Sequence, residues 1–276
     1  MIHRQENYMN DLKQLLEKNN LSRSLKVFGI SMAAGFLMVI LPGLGINKII
    51  PNFYSVAQIA NPLPSVVDPL ENIYPKLQVK ANNYSLQKPT EIVPAAAAVE
   101  NEYENSNAYA VVDFDSGKVI ASKNLSEQVS IASLTKVMTA VVALDLAKPS
   151  DEFTISQKAS EMIPTKIGVI EGQKMTLEEL LNAAILTSAN DAVQAIKEGV
   201  DAQYNNEIFI QSMNAKAKLL GLKNTHFENP QGFDSEEHFS TAEDLAILTH
   251  YAMSNYPLIA EVAKKEYAFL EASENH

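Results

Sequence analysis

Hydrophobic and polar positions divide the chain into three regimes. From Val27 to Ile46 run 20 residues without a charge, rich in Phe, Ile, Met, Leu and Val, long enough for one helix across a bilayer. Residues 47–105 hold no sustained period. Pro51, Pro62, Pro64, Pro69, Pro75, Pro89 and Pro94 interrupt them, together with the run Ala95 to Ala98, so an extended Pro/Asn/Ala-rich linker is expected. Periodicity returns near Asn107. Ala108–Phe114 and Lys118–Ser122 are β-prone runs on either side of Asp115-Ser116-Gly117, which predicts a hairpin. Helical patterns follow from Ser133 to about Ala147, and at Leu177, Leu180, Leu181, Ala184 and Ile185 behind a Thr176/Glu179 capping box. Two more run from about Asn206 to Leu220, stopping at Gly221, and from Ser240, with Glu243 three residues on, to Met253. The expected fold is α/β in the α+β sense, with one N-terminal hairpin and a mostly helical domain over residues 106–276.

Charge sets the topology of this arrangement. Arg4, Lys13, Lys18, Arg23 and Lys26 precede the apolar run, and Lys48 is the only basic residue between it and Lys76. The positive-inside rule then makes 1–26 a cytoplasmic tail, 27–46 a single transmembrane helix, and everything beyond extracytoplasmic. The tail is either a short amphipathic helix on the inner membrane surface or a solvated segment. A rival reading is a cleavable signal peptide with Ser55-Val56-Ala57 as its cleavage site; it exports the same domain.

Composition narrows the function classes. With 46% hydrophobic residues the chain can build a core, and with no cysteine that core has no disulfide support. A net charge of −11 repels phosphates, so no nucleic-acid partner is expected. His226, His238 and His250 have no metal-ligand spacing with one another or with carboxylates, so neither a metal nor a cofactor is expected, and His226 reads as a loop contact.

The candidate chemistry lies at the start of the first helical pattern. In Ser133-Leu134-Thr135-Lys136 the serine and lysine are three apart and share a helix face, which brings the amine to the hydroxyl. A hydroxyl needs a base to become a nucleophile. Lysine can be that base once burial and a helix N-terminus disfavour its ammonium form. Fifty-five positions on, Ser188-Ala189-Asn190 closes another helix; its bland alternative is a helix end followed by an N-cap.

The pair of motifs resembles the first two signatures of penicillin-recognising serine enzymes. Ala108-Tyr109-Ala110-Val111-Val112-Asp113, Ser116-Gly117-Lys118-Val119, Leu186 to Ala192, Gly221 to Phe227 and Phe239 to Ala246 are similar to one branch, the D-alanyl-D-alanine carboxypeptidases, or low-molecular-mass penicillin-binding proteins. The resemblance implies a DD-peptidase/β-lactamase-like domain acting on peptidoglycan stem peptides ending in D-Ala-D-Ala. Ser133 would form the acyl-enzyme, Lys136 take its proton, Ser188 relay a proton to the leaving nitrogen, and Asn190 donate to the substrate amide. The Ser133 N–H would be one oxyanion donor. β-Lactams would acylate Ser133.

Two other matches are expected to be decoys. Glu178 to Asn182 fits a deacylating E-x-x-L-N pattern but precedes the second motif, and Lys166-Ile167-Gly168 fits a relaxed third motif but lies between the first two. The family's Lys-Thr/Ser-Gly strand is expected beyond His276, so the given chain is expected to lack the C-terminal sheet strands and to be weakly active or inactive. Two alternatives stay open: a β-lactamase or transpeptidase of the same superfamily, and a non-catalytic, membrane-tethered wall-binding remnant.

Overall fold

The computed structural model describes residues 68, 70–77, 79, 84–88 and 105–270. The expected tail over 1–26, the span over 27–46 and most of the linker lie outside the described residues. Among the described residues no helix is long and apolar enough to cross a membrane. The chain divides into two compact units, Met1–Pro64 and Ser65–His276, and every described residue belongs to the second.

The expected hairpin is present. Strand β1 (Tyr109–Val112) pairs antiparallel with β2 (Val119–Lys123), with an irregularity between Val111 and Val112. Asp113 Oδ1 accepts the Ser116 N–H at 2.9 Å, the local bond that makes aspartate a turn former.

The hydrophobic core forms around α1 (Thr135–Leu146), which continues from a 3₁₀ turn over Ala132–Leu134. Met138, Val141, Val142 and Ala143 are fully enclosed, and so are the polar Thr135 and Thr139. A helix buried on nearly all sides is the centre of a bundle, and α1 touches α3 (Leu177–Leu186), α4 (Asn190–Gln203), α5 (Phe209–Leu219) and α6 (Ala242–Asn255). The short helices α2 (Gln157–Ser160) and α7 (Pro257–Ala263) complete the set. The expected capping box starts α3: the Thr176 hydroxyl accepts the Glu179 N–H at 3.2 Å, and Glu179 Oε2 accepts the Thr176 N–H at 2.7 Å. Helix α6 starts two residues later than its pattern suggests, because Thr241, not Ser240, caps it through the Asp244 N–H at 3.0 Å.

A second sheet was not expected. β3 (Glu152–Thr154) pairs antiparallel with β4 (Lys174–Thr176). Strands of three residues each turn one side chain inward, Phe153 and Met175, too few to show an alternation. Gly199 of α4 lies against the Phe153 ring, which a Cβ there would meet at 2.2 Å.

The linker expected over 47–105 needs correcting in two places. Leu70, Ile73 and Leu77 are buried in the domain core, and Gln87 exchanges backbone hydrogen bonds with Gly117 and Val119 beside β2, at 2.8 and 3.1 Å. Tyr84 stacks on His250 of α6 at 3.5 Å. Three apolar residues spaced by three and four make one buried face of two successive turns, and Pro69 and Pro75 hide that pattern in the sequence. These turns are held by a buried polar cluster: Lys216 of α5 is paired with Asp145 of α1 at 2.9 Å and donates to the Leu77 carbonyl and the Tyr251 hydroxyl, both at 3.1 Å. The Tyr256 hydroxyl donates to the other Asp145 oxygen at 2.7 Å, and burial with that carboxylate raises its pKa.

Candidate active site

Four residues singled out from the sequence meet in one cluster. Ser133 occupies the 3₁₀ turn ahead of α1 and Lys136 the first turn of α1. Ser188 lies in the link between α3 and α4, and Asn190 opens α4. Lys136 Nζ stands 3.0 Å from Ser133 Oγ, and the Ser188 hydroxyl donates to the same oxygen at 2.8 Å. Ser133 thus has an amine and a second hydroxyl within hydrogen-bond reach, and it faces solvent while Lys136 is only 5% exposed.

The backbone around both serines is strained. Ala132 has φ +44° and Ser188 φ +59°, a left-handed region that non-glycine residues enter at a cost of about 1–3 kcal/mol and that recurs at functional sites. What holds Ala132 there is a loop: Gly232 is seated on its carbonyl so closely that a Cβ would fall 1.8 Å from the Ala132 oxygen, and its own φ is +96°. Only glycine fits this contact. The Asn229 side chain shapes the loop, its Oδ1 accepting the N–H groups of Gly232 and Phe233 at 2.8 and 2.9 Å, and Thr139 of α1 donates to the Pro230 carbonyl at 2.8 Å.

Lys136 is oriented from three sides. Besides Ser133 Oγ, Nζ donates to Asn190 Oδ1 and to the Gln231 carbonyl, each at 2.9 Å. Neither acceptor is ionised, and burial lowers the amine's pKa to about 8. Once Lys136 loses its proton, its two remaining N–H groups keep those two acceptors. The lone pair is then directed at Ser133 Oγ, which is the arrangement a general base requires.

Asn190 is the residue whose geometry differs most from its expected use. Its Oδ1 is committed to Lys136, and its amide nitrogen lies 3.2 and 3.4 Å from the carbonyls of Pro164 and Ile163. The donors expected to meet a substrate amide face the 163–169 loop. Asp191, wholly buried, fixes that loop by accepting the N–H groups of Ile167, Gly168 and Val169 at 3.2, 2.8 and 3.2 Å. Of the two decoys, Lys166 is exposed, and Asn182 bonds back to the Glu178 carbonyl within α3 at 2.8 Å. Both stay outside the cluster.

Sequence reasoning missed Gln231, Gly232 and Asp191. Asp191 follows the second motif directly, and Gln231-Gly232 sits in a loop with no periodicity. The cluster opens on a largely apolar groove of about 450 Å³ lined by Leu134, Val137, Ile185 and Met253. A second cavity, about 680 Å³, is lined by β1 and α6 and also reaches Ala132.

Known proteins share this arrangement of sequence. A profile of the D-alanyl-D-alanine carboxypeptidase family matches residues 95–275. D-alanyl-D-alanine carboxypeptidase DacF of Bacillus subtilis is 41% identical over 143 residues, 50% of this chain and 36% of that protein. A D-alanyl-D-alanine endopeptidase of Pseudomonas aeruginosa is 37% identical over 172 residues, 61% of this chain and 54% of that one. The crystal structure of a D-alanyl-D-alanine carboxypeptidase from Mycobacterium tuberculosis superposes with a TM-score of 0.55 at 29% identity, covering 61% of this chain and 63% of that one. The mixed α/β fold is therefore that of these enzymes, and the chain spans about a third to a half of the length of the two curated relatives. By the match over residues 95–275, this chain belongs to the D-alanyl-D-alanine carboxypeptidase family.

Proposed function

We propose that the chain carries the nucleophile machinery of a serine-type D-alanyl-D-alanine carboxypeptidase, which removes the terminal D-alanine from peptidoglycan stem peptides. The observation that supports this most is that Ser133 Oγ has Lys136 Nζ at 3.0 Å and Ser188 Oγ at 2.8 Å, with the amine depressed to about 8. Neutral Lys136 takes the Ser133 proton as Oγ attacks the carbonyl of the penultimate residue. The Ser133 N–H would steady the oxyanion as one donor. Ser188, bridging Ser133 to the cleft, passes its proton to the departing amine as the C–N bond breaks and takes the one held by Lys136, which leaves the lysine neutral again. Water then cleaves the ester and restores the serine. Asn190 serves this cycle by orienting Lys136; it contacts substrate only where its amide leaves the Ile163 and Pro164 carbonyls.

The same attack on a β-lactam carbonyl opens the ring, whose nitrogen stays tethered to the acyl group, so penicillins are expected to label Ser133. The run over 27–46 supports a single-pass anchor in the cytoplasmic membrane, with residues 1–26 inside and everything beyond the span outside. The test is D-alanine release from a diacetylated Lys-D-Ala-D-Ala tripeptide by the full chain. Slow release that Ser133→Ala abolishes is the expected result. Faster turnover of a chromogenic cephalosporin than of the peptide would move the assignment to a β-lactamase, and turnover of neither to a wall-binding role.

A further inference from the structure

His238 is buried, 2% exposed, and belongs to neither sequence motif, yet it touches both the nucleophile helix and the loop that holds Lys136. Its Nε2 is 2.8 Å from Thr135 Oγ1, the residue before Lys136. Its Nδ1 accepts the Glu228 N–H at 3.2 Å. The Asn229 amide nitrogen lies 3.4 Å from the same Nδ1, and that amide's orientation is set by the two backbone N–H groups on its oxygen. Both neighbours of Nδ1 are donors, so Nδ1 carries no proton. Nε2 then carries it and donates to Thr135. The imidazole is fixed as one neutral tautomer by geometry alone.

The contacts continue to the site. Glu228 and Asn229 begin the loop whose Gln231 carbonyl accepts from Lys136 and whose Gly232 presses on Ala132. We propose that His238 is a positioning residue for Lys136: its neutral imidazole staples the 228–232 loop to Thr135, and protonation of Nδ1 opens the staple and shuts acylation down in acid. This inference rests on the reading of Lys136 as the base. An imidazolium would set an N–H against the Glu228 N–H, with no acceptor in place. The groups facing His238 are Glu228 and Asp234, which favour the cation, and His226, which opposes it; burial outweighs them and lowers the imidazole pKa. Phe227 packs edge-on against the ring at 5.8 Å.

The experiment follows the rate of acylation by a fluorescent penicillin from about pH 8 to about pH 5, in the full chain and in His238→Asn. Asparagine keeps an acceptor near the Glu228 N–H and does not titrate. Lys136 alone makes the logarithm of the rate fall with slope one below its pKa. In the wild-type chain the slope steepens to two where His238 protonates, and in His238→Asn it stays at one. A wild-type slope of one throughout, or equal steepening in the variant, overturns the proposal. Spectra of the full chain labelled uniformly with ¹⁵N give a readout independent of acylation: the Nε2–H tautomer of His238 at neutral pH and a Glu228 amide shift that titrates with the ring. An Nδ1–H tautomer, or a Glu228 amide that ignores the titration, overturns the staple even where labelling succeeds. Absence of labelling at every pH, with these spectra as expected, overturns the carboxypeptidase reading instead.

Discussion

Burial of Lys136 should be visible twice, once in catalysis and once in stability, through the same folded-state pKa. Its pKa is lowered from 10.5 to about 8 by desolvation, so at pH 7 about a tenth of the molecules hold the neutral amine, against about one in three thousand for an unperturbed lysine. Between about pH 7 and pH 8 the acylation rate should therefore rise about tenfold per pH unit, and level off above. The stability effect has a definite sign. Between the folded and unfolded values the unfolded chain binds the extra proton, so stability rises with pH across this window; the contribution is fully present above 10.5 and lost as pH falls through 8. Integrated from pH 7 to pH 10, the shift amounts to about 2–3 kcal/mol. Lys136→Met removes the titration while also losing the bonds to Asn190 and Gln231 at every pH. Urea unfolding of both proteins at the two pH values isolates the pH-dependent part, because the wild-type chain should gain about 2–3 kcal/mol relative to the variant at the higher pH. A gap between the two that stays constant within about 0.5 kcal/mol would refute a buried, depressed lysine, and with it the source of the base.

Three further outcomes follow from named contacts. Asp145→Asn leaves the Lys216 ammonium enclosed without its carboxylate and should cost about 3–5 kcal/mol in urea unfolding; a loss below about 1 kcal/mol would mean water already reaches the pair. Gly232→Ala drives a Cβ into the Ala132 carbonyl, so it should slow penicillin acylation on the order of 100-fold through a displaced Ser133, and wild-type labelling kinetics would refute the contact. Asp191→Asn offers one acceptor oxygen to three N–H groups and should speed hydrogen exchange at Ile167, Gly168 and Val169, at a cost of about 1–3 kcal/mol; unchanged exchange there would show that the carboxylate does not hold the loop.

The sequence was most legible where one residue type has one physical job. Ser133 and Lys136 could be paired because a nucleophile needs a base nearby, Ser188 and Asn190 only through the resemblance of their motif to a known second signature, and the structure brings all four together. The Thr176/Glu179 cap and the Asp113 turn were equally readable, since each is a local bond between near neighbours. What stayed hidden depends on chain segments far apart. The Gln231 carbonyl is 95 residues from Lys136 and acts through its backbone, which any residue could supply. His238 was read only for metal spacing, and its partner Thr135 lies 103 residues away. Leu70, Ile73 and Leu77 looked like part of a proline-broken tether, because burial of only three side chains in the core leaves no long period.

The central claim is that Ser133 is an activated acyl acceptor. Incubation of the full chain with benzylpenicillin, followed by intact mass and peptide mapping, tests it most directly. A mass gain of one penicilloyl group on the peptide containing Ser133, absent in Ser133→Ala, is the predicted result; an adduct on another residue, the same adduct in the variant, or no adduct at all would contradict it.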